Sequence, residues 1–499
     1  MTMPAITMDV LMQLSPMIVM LVGGMTFMLS GAMTKSVGRT QRFFVVVFFL
    51  VALMYIVKLW SWKSGPILGG MLIVDQYALF FAAIVTICAL GTVLISSNYL
   101  GRFGLDRGEF FSMLFFSTMG MIVLVSAYDL LSVFLGIELM SLAVYVLVAF
   151  RRRDFFSNEA ALKYFVIGAF AIGFFLYGVS IIYGICGSTN FEQIVQAVND
   201  RYLASTPLFL LAVALILAGL AFKVSSVPFH MWTPDVYQGA PTPVTAFMAT
   251  AVKAAGFAAF LRLFYMCFMV NKDQWVGIIV VLAILTMTLG NVVALVQRNI
   301  KRMMAYSSIA HAGYLMIGIA ALSADNTKAA SAIMYYVLTY AFMTLGAFAV
   351  IGAFEKRDMS RGLEDDDYAG LGLQRPFLGL CMAVFMFSLA GIPPTAGFFA
   401  KYYLFSAAVE QGMVGLAVIA VLNSALSLYF YLRVIVTLYM RKSDAPLLVH
   451  DDLGTRFVLL ATLLAVLWLG FGPTGLIPGV ENILDWTRSS LGGIASLGR

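Results

Sequence analysis

About fourteen apolar stretches, each near the length of a bilayer-spanning helix, fill this chain almost end to end. A helix needs about 20 apolar residues to cross the hydrocarbon core. In lipid, backbone N–H and C=O groups must find partners within the protein, which favours helices. Cutting at charged and Pro/Gly-rich breaks places the stretches near 9–33, 43–60, 74–97, 110–126, 129–150, 159–185, 207–223, 242–266, 275–297, 302–322, 329–354, 377–404, 411–440 and 456–475. The expected fold is therefore an all-α polytopic membrane protein with about 14 transmembrane helices. Only 11% of the 499 residues are charged, against about 25% in soluble domains. A soluble enzyme with a single anchor is excluded.

The net charge of +6 does not point to nucleic acid, because the basic residues fall in short loops where the positive-inside rule governs. Odd-numbered loops hold Lys35, Arg39 and Arg42, then Arg102 and Arg107, then Arg151, Arg152 and Arg153. Further along they hold Arg298, Lys301 and Arg302, then Lys356, Arg357 and Arg361, then Arg441 and Lys442. Even-numbered loops carry little more than Lys63, Arg201, Lys272 and Lys328. The alternation predicts odd loops in the cytoplasm, both termini outside and an even number of spans. Met1–Pro16, with one acid and no base, fits neither a secretory signal nor an Arg-rich transit peptide.

Cofactor motifs are missing from the sequence. Cys88, Cys186, Cys267 and Cys381 form no CxxC, so neither an iron–sulfur cluster nor a zinc site is expected. Neither GxGxxG nor a Walker A sequence occurs. The expectation is no cofactor and no metal in this chain. Three loops are long enough to have shapes of their own. Gly187–Thr206 has Phe191, Ile194, Val195 and Val198 at helical spacing and reads as a short interfacial helix. Glu355–Arg375 carries the acidic run Glu364–Asp367, and Lys442–Thr455 carries Pro446.

Against this background Glu138, Lys223, Lys253 and Lys401 stand out, each in or at the end of a long apolar run. A charge at the bilayer centre costs roughly 2.5–3.5 kcal/mol, so four unpaired ones would cost on the order of 10 kcal/mol. Proton or ion movement is the function such groups suggest; an ion pair or a snorkelling side chain is the structural alternative. Glu138 is the only acid in Leu130–Phe150 and is too central to snorkel. Lys253 has Ala and Gly neighbours, which let helices approach and leave room for water.

Two of these lysines sit beside predicted helix breaks. Lys223 precedes Val224-Ser-Ser-Val-Pro228, and Lys401 follows Gly391-Ile-Pro393-Pro394. Proline removes a donor and clashes with the preceding turn. In lipid such a break is tolerated only when it is buried in protein or lines a cavity. Ala218-Gly-Leu-Ala-Phe-Lys223 also echoes Ala396-Gly-Phe-Phe-Ala-Lys401 at an offset of 178, and Phe260-Leu-Arg262 echoes Tyr431-Leu-Arg433 at 171. These echoes are five spans apart, which predicts inverted repeats with sites near the midplane.

Lower-ranked candidates are Lys163, His230 and His311. Lys163 follows Glu159 by one helical turn, so an ordinary i,i+4 pair competes with a functional role. His230 follows Pro228 by two residues, and its side-chain type suits proton carriage. His311 is expected one turn into its span among the hydroxyls of Tyr306-Ser-Ser, as part of a water chain or a bond between helices. His450 reads as a surface residue, and Arg151–Arg153 read as topology determinants.

Several of these segments together resemble a known family. The stretch Phe222-Lys-Val-Ser-Ser-Val-Pro-Phe-His-Met-Trp-Thr-Pro-Asp-Val-Tyr-Gln-Gly-Ala-Pro-Thr-Pro-Val244 and Tyr306-Ser-Ser-Ile-Ala-His311 resemble the signatures of the antiporter-like membrane subunits of respiratory complex I. Phe134-Leu-Gly-Ile-Glu138-Leu-Met-Ser-Leu and Gly391-Ile-Pro-Pro-Thr-Ala-Gly-Phe-Phe-Ala-Lys401-Tyr-Tyr look most like its subunit N branch. Lys401 stands where the M branch has an acid, and no long extension follows the last span, unlike the L branch.

The resemblance covers essentially the whole chain. It implies 14 helices with two inverted five-helix repeats and two broken helices. The parts would be N-terminal helices in 1–109, repeats in 110–266 and 275–440, and a C-terminal helix and tail in 441–499, all in one membrane domain. It further implies a Glu138–Lys223 pair, a central Lys253, an exit-side Lys401 and a role for Lys163. The implied activity is proton translocation within NADH:quinone oxidoreductase, in a bacterial inner membrane or, alternatively, a mitochondrial one. NAD, FMN, iron–sulfur clusters and quinone would lie on partner subunits. The implied partners are other membrane-arm subunits, antiporter-like neighbours among them, and the lipid bilayer. An Mrp-type sodium/proton antiporter subunit and a non-pumping scaffold subunit are the alternatives.

Overall fold

The computed structural model of the chain describes residues 7–34, 36–62, 65–355, 363–441, 449–450 and 452–471. The topology markers Lys35, Lys63, Lys356, Arg357, Arg361 and Lys442, the Pro446 segment and the tail after Phe471 lie outside them. Thirteen helices among the described residues are long and apolar enough to cross a bilayer. Pro376–Ala390 and Ala396–Glu410, of 15 residues each, are too short to cross alone. With five residues between them, they occupy the stretch 377–404 that the sequence suggested as one span, and the pair Asp365–Gln374 and Pro376–Ala390, bent by 117°, brings the count among the described residues to as many as 14.

Helix ends follow local chemistry. The second helix, Arg39–Leu59, begins four residues earlier than its apolar run, because the Gln41 side chain accepts the Gly38 N–H at 2.8 Å. The segment expected as an interfacial helix is helical over Phe191–Asp200. It packs on protein rather than lying free: Phe191, Ile194 and Val198 are buried, Asn190 caps its start, and the Asn190 amide donates to the Gly70 carbonyl at 2.9 Å. Gly70 belongs to a small hairpin region whose strands are Pro66–Ile67 and Leu72–Ile73.

The loops sort into two groups, and contacts run within each group. Among odd-numbered loops, Arg42 pairs with Asp106, Arg151 with Glu355 at 2.7 Å, and Arg441 with Asp366 at 3.4 Å. Among even-numbered connections, Tyr128 bonds Glu192 at 2.6 Å, Thr189 bonds Asp129 at 2.7 Å, and Lys328 pairs with Glu410 at 2.9 Å. The bundle therefore has the two ends that the charge pattern anticipated, with the basic end cytoplasmic by the positive-inside rule.

Thr242–Met266 is enclosed on all sides, and its most apolar window is 100% buried within the protein. A helix apolar all round belongs in the middle of a bundle. Ile300–Ala320 and Lys328–Phe354 flank this centre and are nearly as buried.

The two broken spans share one design. Pro207–Val224 and Pro376–Ala390 each start with proline, where the missing N–H costs nothing. Each ends on a left-handed residue, Ser225 (φ 65°) and Gly391 (φ 86°), and a proline follows three residues later, Pro228 and Pro394. Both correspondences are 166 positions apart. This register corrects the one drawn from the A-G-x-x-x-K echo. Lys223 lies just before its break, whereas Lys401 lies well after its own, in Ala396–Glu410. At 166, the counterpart of Lys401 is Asp235, on the short helix Trp232–Gly239 beyond the first break. The echo reflects similar composition near both breaks, not equivalent geometry.

Candidate functional site

Three buried lysines form the centre of the molecule, and each meets one serine hydroxyl and one tyrosine ring. Lys223 is in the last turn of Pro207–Val224 and donates to Ser141 Oγ at 2.8 Å and to Tyr164 OH at 3.3 Å. Lys253 follows a π-helical turn, Met248–Val252, a distortion common at functional sites. It donates to Ser308 twice, to the carbonyl at 2.6 Å and to Oγ at 2.5 Å. Lys401 donates to Ser424 Oγ at 2.9 Å and to the Leu389 and Ala390 carbonyls at 3.1 and 2.8 Å. Those carbonyls end the Pro376–Ala390 half-helix, where the macrodipole is negative. The aromatic faces are Tyr164, Tyr340 and Tyr314, at 5.7, 5.9 and 5.3 Å from the respective Nζ atoms.

No described carboxylate lies within ion-pair distance of any of the three. Buried ammonium groups normally require such a partner. Here neutral oxygens and ring faces do the solvating, which is a weak hold and suits a charge that comes and goes.

The lysines are linked through His311, which lies in the middle of Ile300–Ala320, deeper than the one turn expected. Its Nδ1 is 2.6 Å from Tyr336 OH and its Nε2 is 3.1 Å from Tyr431 OH, which also contacts Ser307. The Tyr340 ring that faces Lys253 is 5.0 Å from the His311 ring, and the Tyr314 ring that faces Lys401 is 5.8 Å from it. On the other side of Lys253, Ser308 Oγ is 3.4 Å from Tyr237 OH. Tyr237 packs on Trp232, which stacks on Tyr164 beside Lys223 at 4.3 Å. Gly256, one turn after Lys253, leaves its face open to the Lys223 stem, which a Cβ there would meet at 3.6 Å. Hydroxyls and a neutral imidazole both donate and accept, so such a series can pass protons.

Glu138 is half-buried and makes no ion pair or hydrogen bond with a described residue. The expected Glu138–Lys223 pair is thus not a contact pair: Lys223 directs its donors to Ser141, one turn further along the Glu138 helix. Glu138 instead lies on an outward stripe with Leu131, Leu135, Leu142 and Val146, all substantially exposed.

The remaining candidates lie off this line. Lys163 is 42% exposed and pairs with Glu159 at 2.8 Å and with Asp235 at 2.7 Å. Arg302 holds the other Asp235 oxygen at 2.6 Å. His230 sits in the first break, with Nδ1 buried and no described partner. His450, in a loop, is exposed and lines a small crevice with Arg102.

Sequence reasoning missed several residues. Ser141 and Ser424 carry no charge and hide among apolar neighbours. Asp235, Asp75 and Glu355 escaped because each lies near a helix end, where acids are ordinary. The structure gives all three work: Asp75 pairs with Arg262 at 2.6 Å, both 2% exposed. Glu355 holds Arg151, so Arg151 does more than set topology. Burial alone would push the Glu355 carboxyl up. The Lys301 and Arg151 charges, with hydrogen bonds from Thr242 and Arg151, outweigh that and hold it at about 2.

A family model described as "NADH:quinone oxidoreductase/Mrp antiporter, TM" matches residues 127–427. NADH-quinone oxidoreductase subunit N of Trichlorobacter lovleyi is 51% identical over 74% of this chain and 76% of its own length. The subunit N of Rhodospirillum rubrum is 42% identical over 93% of this chain and 95% of its own. Among solved structures, a chain of respiratory complex I from Thermus thermophilus with bound aureothin is 33% identical, with a TM-score of 0.77 over 93% of this chain and 99% of that one. A chain of the Mrp complex from Dietzia is 20% identical with a TM-score of 0.84, over 98% of this chain and 99% of that one, a likeness of fold alone.

Proposed function

The chain belongs to the subunit N branch of the NADH:quinone oxidoreductase/Mrp antiporter membrane family, and from that premise we propose that its buried lysines relay the protons it translocates. It is a multi-pass subunit of a bacterial inner membrane, working in the membrane arm of complex I beside other subunits. NADH oxidation and quinone reduction belong to partner subunits in this reading, with NAD, FMN, iron–sulfur clusters and quinone bound there. The Mrp alternative has less support, because its likeness is at the level of fold.

The observation that carries the relay is the lysine series with no described carboxylate in contact. Burial disfavours an ammonium and a nearby anion favours it. A change in the Glu138 environment would therefore alter whether Lys223 keeps its proton. The proton released there passes toward Lys253 and Ser308, then by way of His311 and its tyrosines to Lys401. Lys163, with Asp235 and Arg302, positions the first break from the cytoplasmic side, and His230 is the remaining candidate carrier at that break. Moving one charge across the membrane costs about 2.3 kcal/mol per 100 mV. The driving energy must therefore come from outside this chain.

The test is Lys223→Ala in the assembled complex. Proton uptake by inverted membrane vesicles and coupled NADH:quinone turnover should fall severely while the complex remains present. Normal pumping at normal assembly overturns the relay.

A further inference from the structure

We propose that the cytoplasmic end of the molecule holds an anionic phospholipid, with its phosphate seated in a cavity lined by Arg107, Arg151, Arg152 and Arg153. The cavity has a volume of about 870 Å³ and is formed by two loops distant in sequence, the one after Gln76–Phe103 and the one after Leu130–Val148. Both are odd-numbered loops on the basic side, so the cavity faces the inner leaflet.

The charge in this cavity is not neutralised within the chain. Arg151 is committed to Glu355 and is packed over the Phe103 ring at 4.2 Å. Arg107, Arg152 and Arg153 are exposed and make no ion pair or side-chain hydrogen bond with a described residue. Asp154 is the one acid in the lining. Its Oδ1 accepts the Phe156 N–H at 2.9 Å, and its Oδ2 is 3.8 Å from Arg151. Three free guanidiniums against one partly occupied carboxylate leave a site for an anion. Guanidinium forks match phosphate oxygens.

The surroundings select a lipid over a soluble anion. Phe155 and Phe156 border the cavity and are 74% and 46% exposed. Below them the outward face of Phe155–Cys186 continues with exposed Leu162, Phe165 and Phe170. A headgroup in the cavity would therefore have its acyl chains running along an apolar surface directly beneath. Basic pockets between transmembrane helices on the cytoplasmic side are known to take lipid headgroups.

The purified complex, stripped of loosely bound lipid, is titrated with phosphatidylglycerol, phosphatidylcholine or inorganic phosphate. Bound lipid is read by native mass spectrometry on the released chain. Phosphatidylglycerol occupancy should exceed that of phosphatidylcholine by about fivefold or more. Arg152→Ala with Arg153→Ala should remove most of that excess, and Arg107→Ala, on the other loop, should lower it at unchanged assembly. Equal occupancy by both lipids, or full retention in both variants, overturns the proposal. Binding of inorganic phosphate as tight as that of phosphatidylglycerol would make this a free-anion site instead. Protection of these arginines from a dicarbonyl reagent that depends on assembly and not on lipid would assign the cavity to an acidic segment of a partner subunit.

Discussion

Lys401 donates a hydrogen bond to Ser424, and Ser424 stands 171 positions after Lys253, the same interval that separates Arg262 from Arg433. At that interval the enclosed span Thr242–Met266 carries an ammonium, and the more exposed span Val414–Met440 carries the hydroxyl that accepts a hydrogen bond from another ammonium. Arg262 and Arg433 diverged likewise: the first pairs with Asp75, and the second donates to the Leu295 and Gln297 carbonyls.

Ser308 is the partner whose loss should be most telling. Its hydroxyl meets both Lys253 and Tyr237, while its carbonyl also accepts from Lys253. Ser308→Ala keeps the carbonyl and removes the link. Hydrogen bonds to charged groups are worth about 1.5–3 kcal/mol, so pumping should fall about tenfold or more. Ser308→Thr, which keeps a hydroxyl, should recover part of it. Wild-type proton uptake by Ser308→Ala vesicles would remove the serine from the relay.

Arginine is effectively always protonated. It can replace a fixed charge but cannot pass a proton on. Lys253→Arg and Lys401→Arg should therefore assemble and pump poorly, below a tenth of wild type. Wild-type pumping by both would make these lysines electrostatic supports.

Glu138 tests whether charge acts here without contact. Glu138→Gln keeps size and hydrogen bonding but cannot ionise, and Glu138→Asp keeps the charge on a shorter stem. The expected order of pumping is wild type, Asp, Gln, with Gln far below Asp. Since Glu138 faces outward, assembly must be matched across variants by quantifying neighbouring subunits. If Gln equals wild type, the carboxylate serves only as a hydrogen-bonding residue at the subunit surface.

Much of this arrangement was legible in the sequence, and the limits have physical causes. Apolar length gave the spans, and basic residues sorted their ends, because burial and topology act on composition. Lys223, Lys253 and Lys401 were conspicuous because charges in apolar runs are costly. The serines that accept their hydrogen bonds were not, since a hydroxyl in a helix commonly bonds the preceding turn and needs no partner. The break register was misread because matching lysines drew attention away from the left-handed residues Ser225 and Gly391, which fix the backbone geometry. Gly391 has a second constraint: a Cβ there would lie 3.2 Å from Lys401 Nζ.

The ion pair of Arg151 and Glu355, with the groups that bond Glu355, ties four cytoplasmic connections together, and its contribution should depend on pH. Tyr99 and Thr242 bond the same carboxylate, and Arg102 donates to the Glu355 and Gly352 carbonyls at 3.1 and 2.7 Å. The Glu355 carboxyl is held at about 2, below its ordinary value of 4.5. A depressed value means the folded protein binds the proton less well than the unfolded chain does. The stabilisation is therefore complete above about 4.5, fades as pH falls toward 2, and is gone below that. Glu355→Gln leaves Arg151 without its counter-ion, and removing one partner of a buried pair costs about 3–5 kcal/mol. At pH 7 the variant complex should melt several degrees below wild type. Between pH 4.5 and 2 the gap should narrow, since wild type loses there what the variant never had. A gap that stays constant across that range, measured by intrinsic fluorescence on the purified complex, would show that packing around Glu355 rather than its charge holds these loops together.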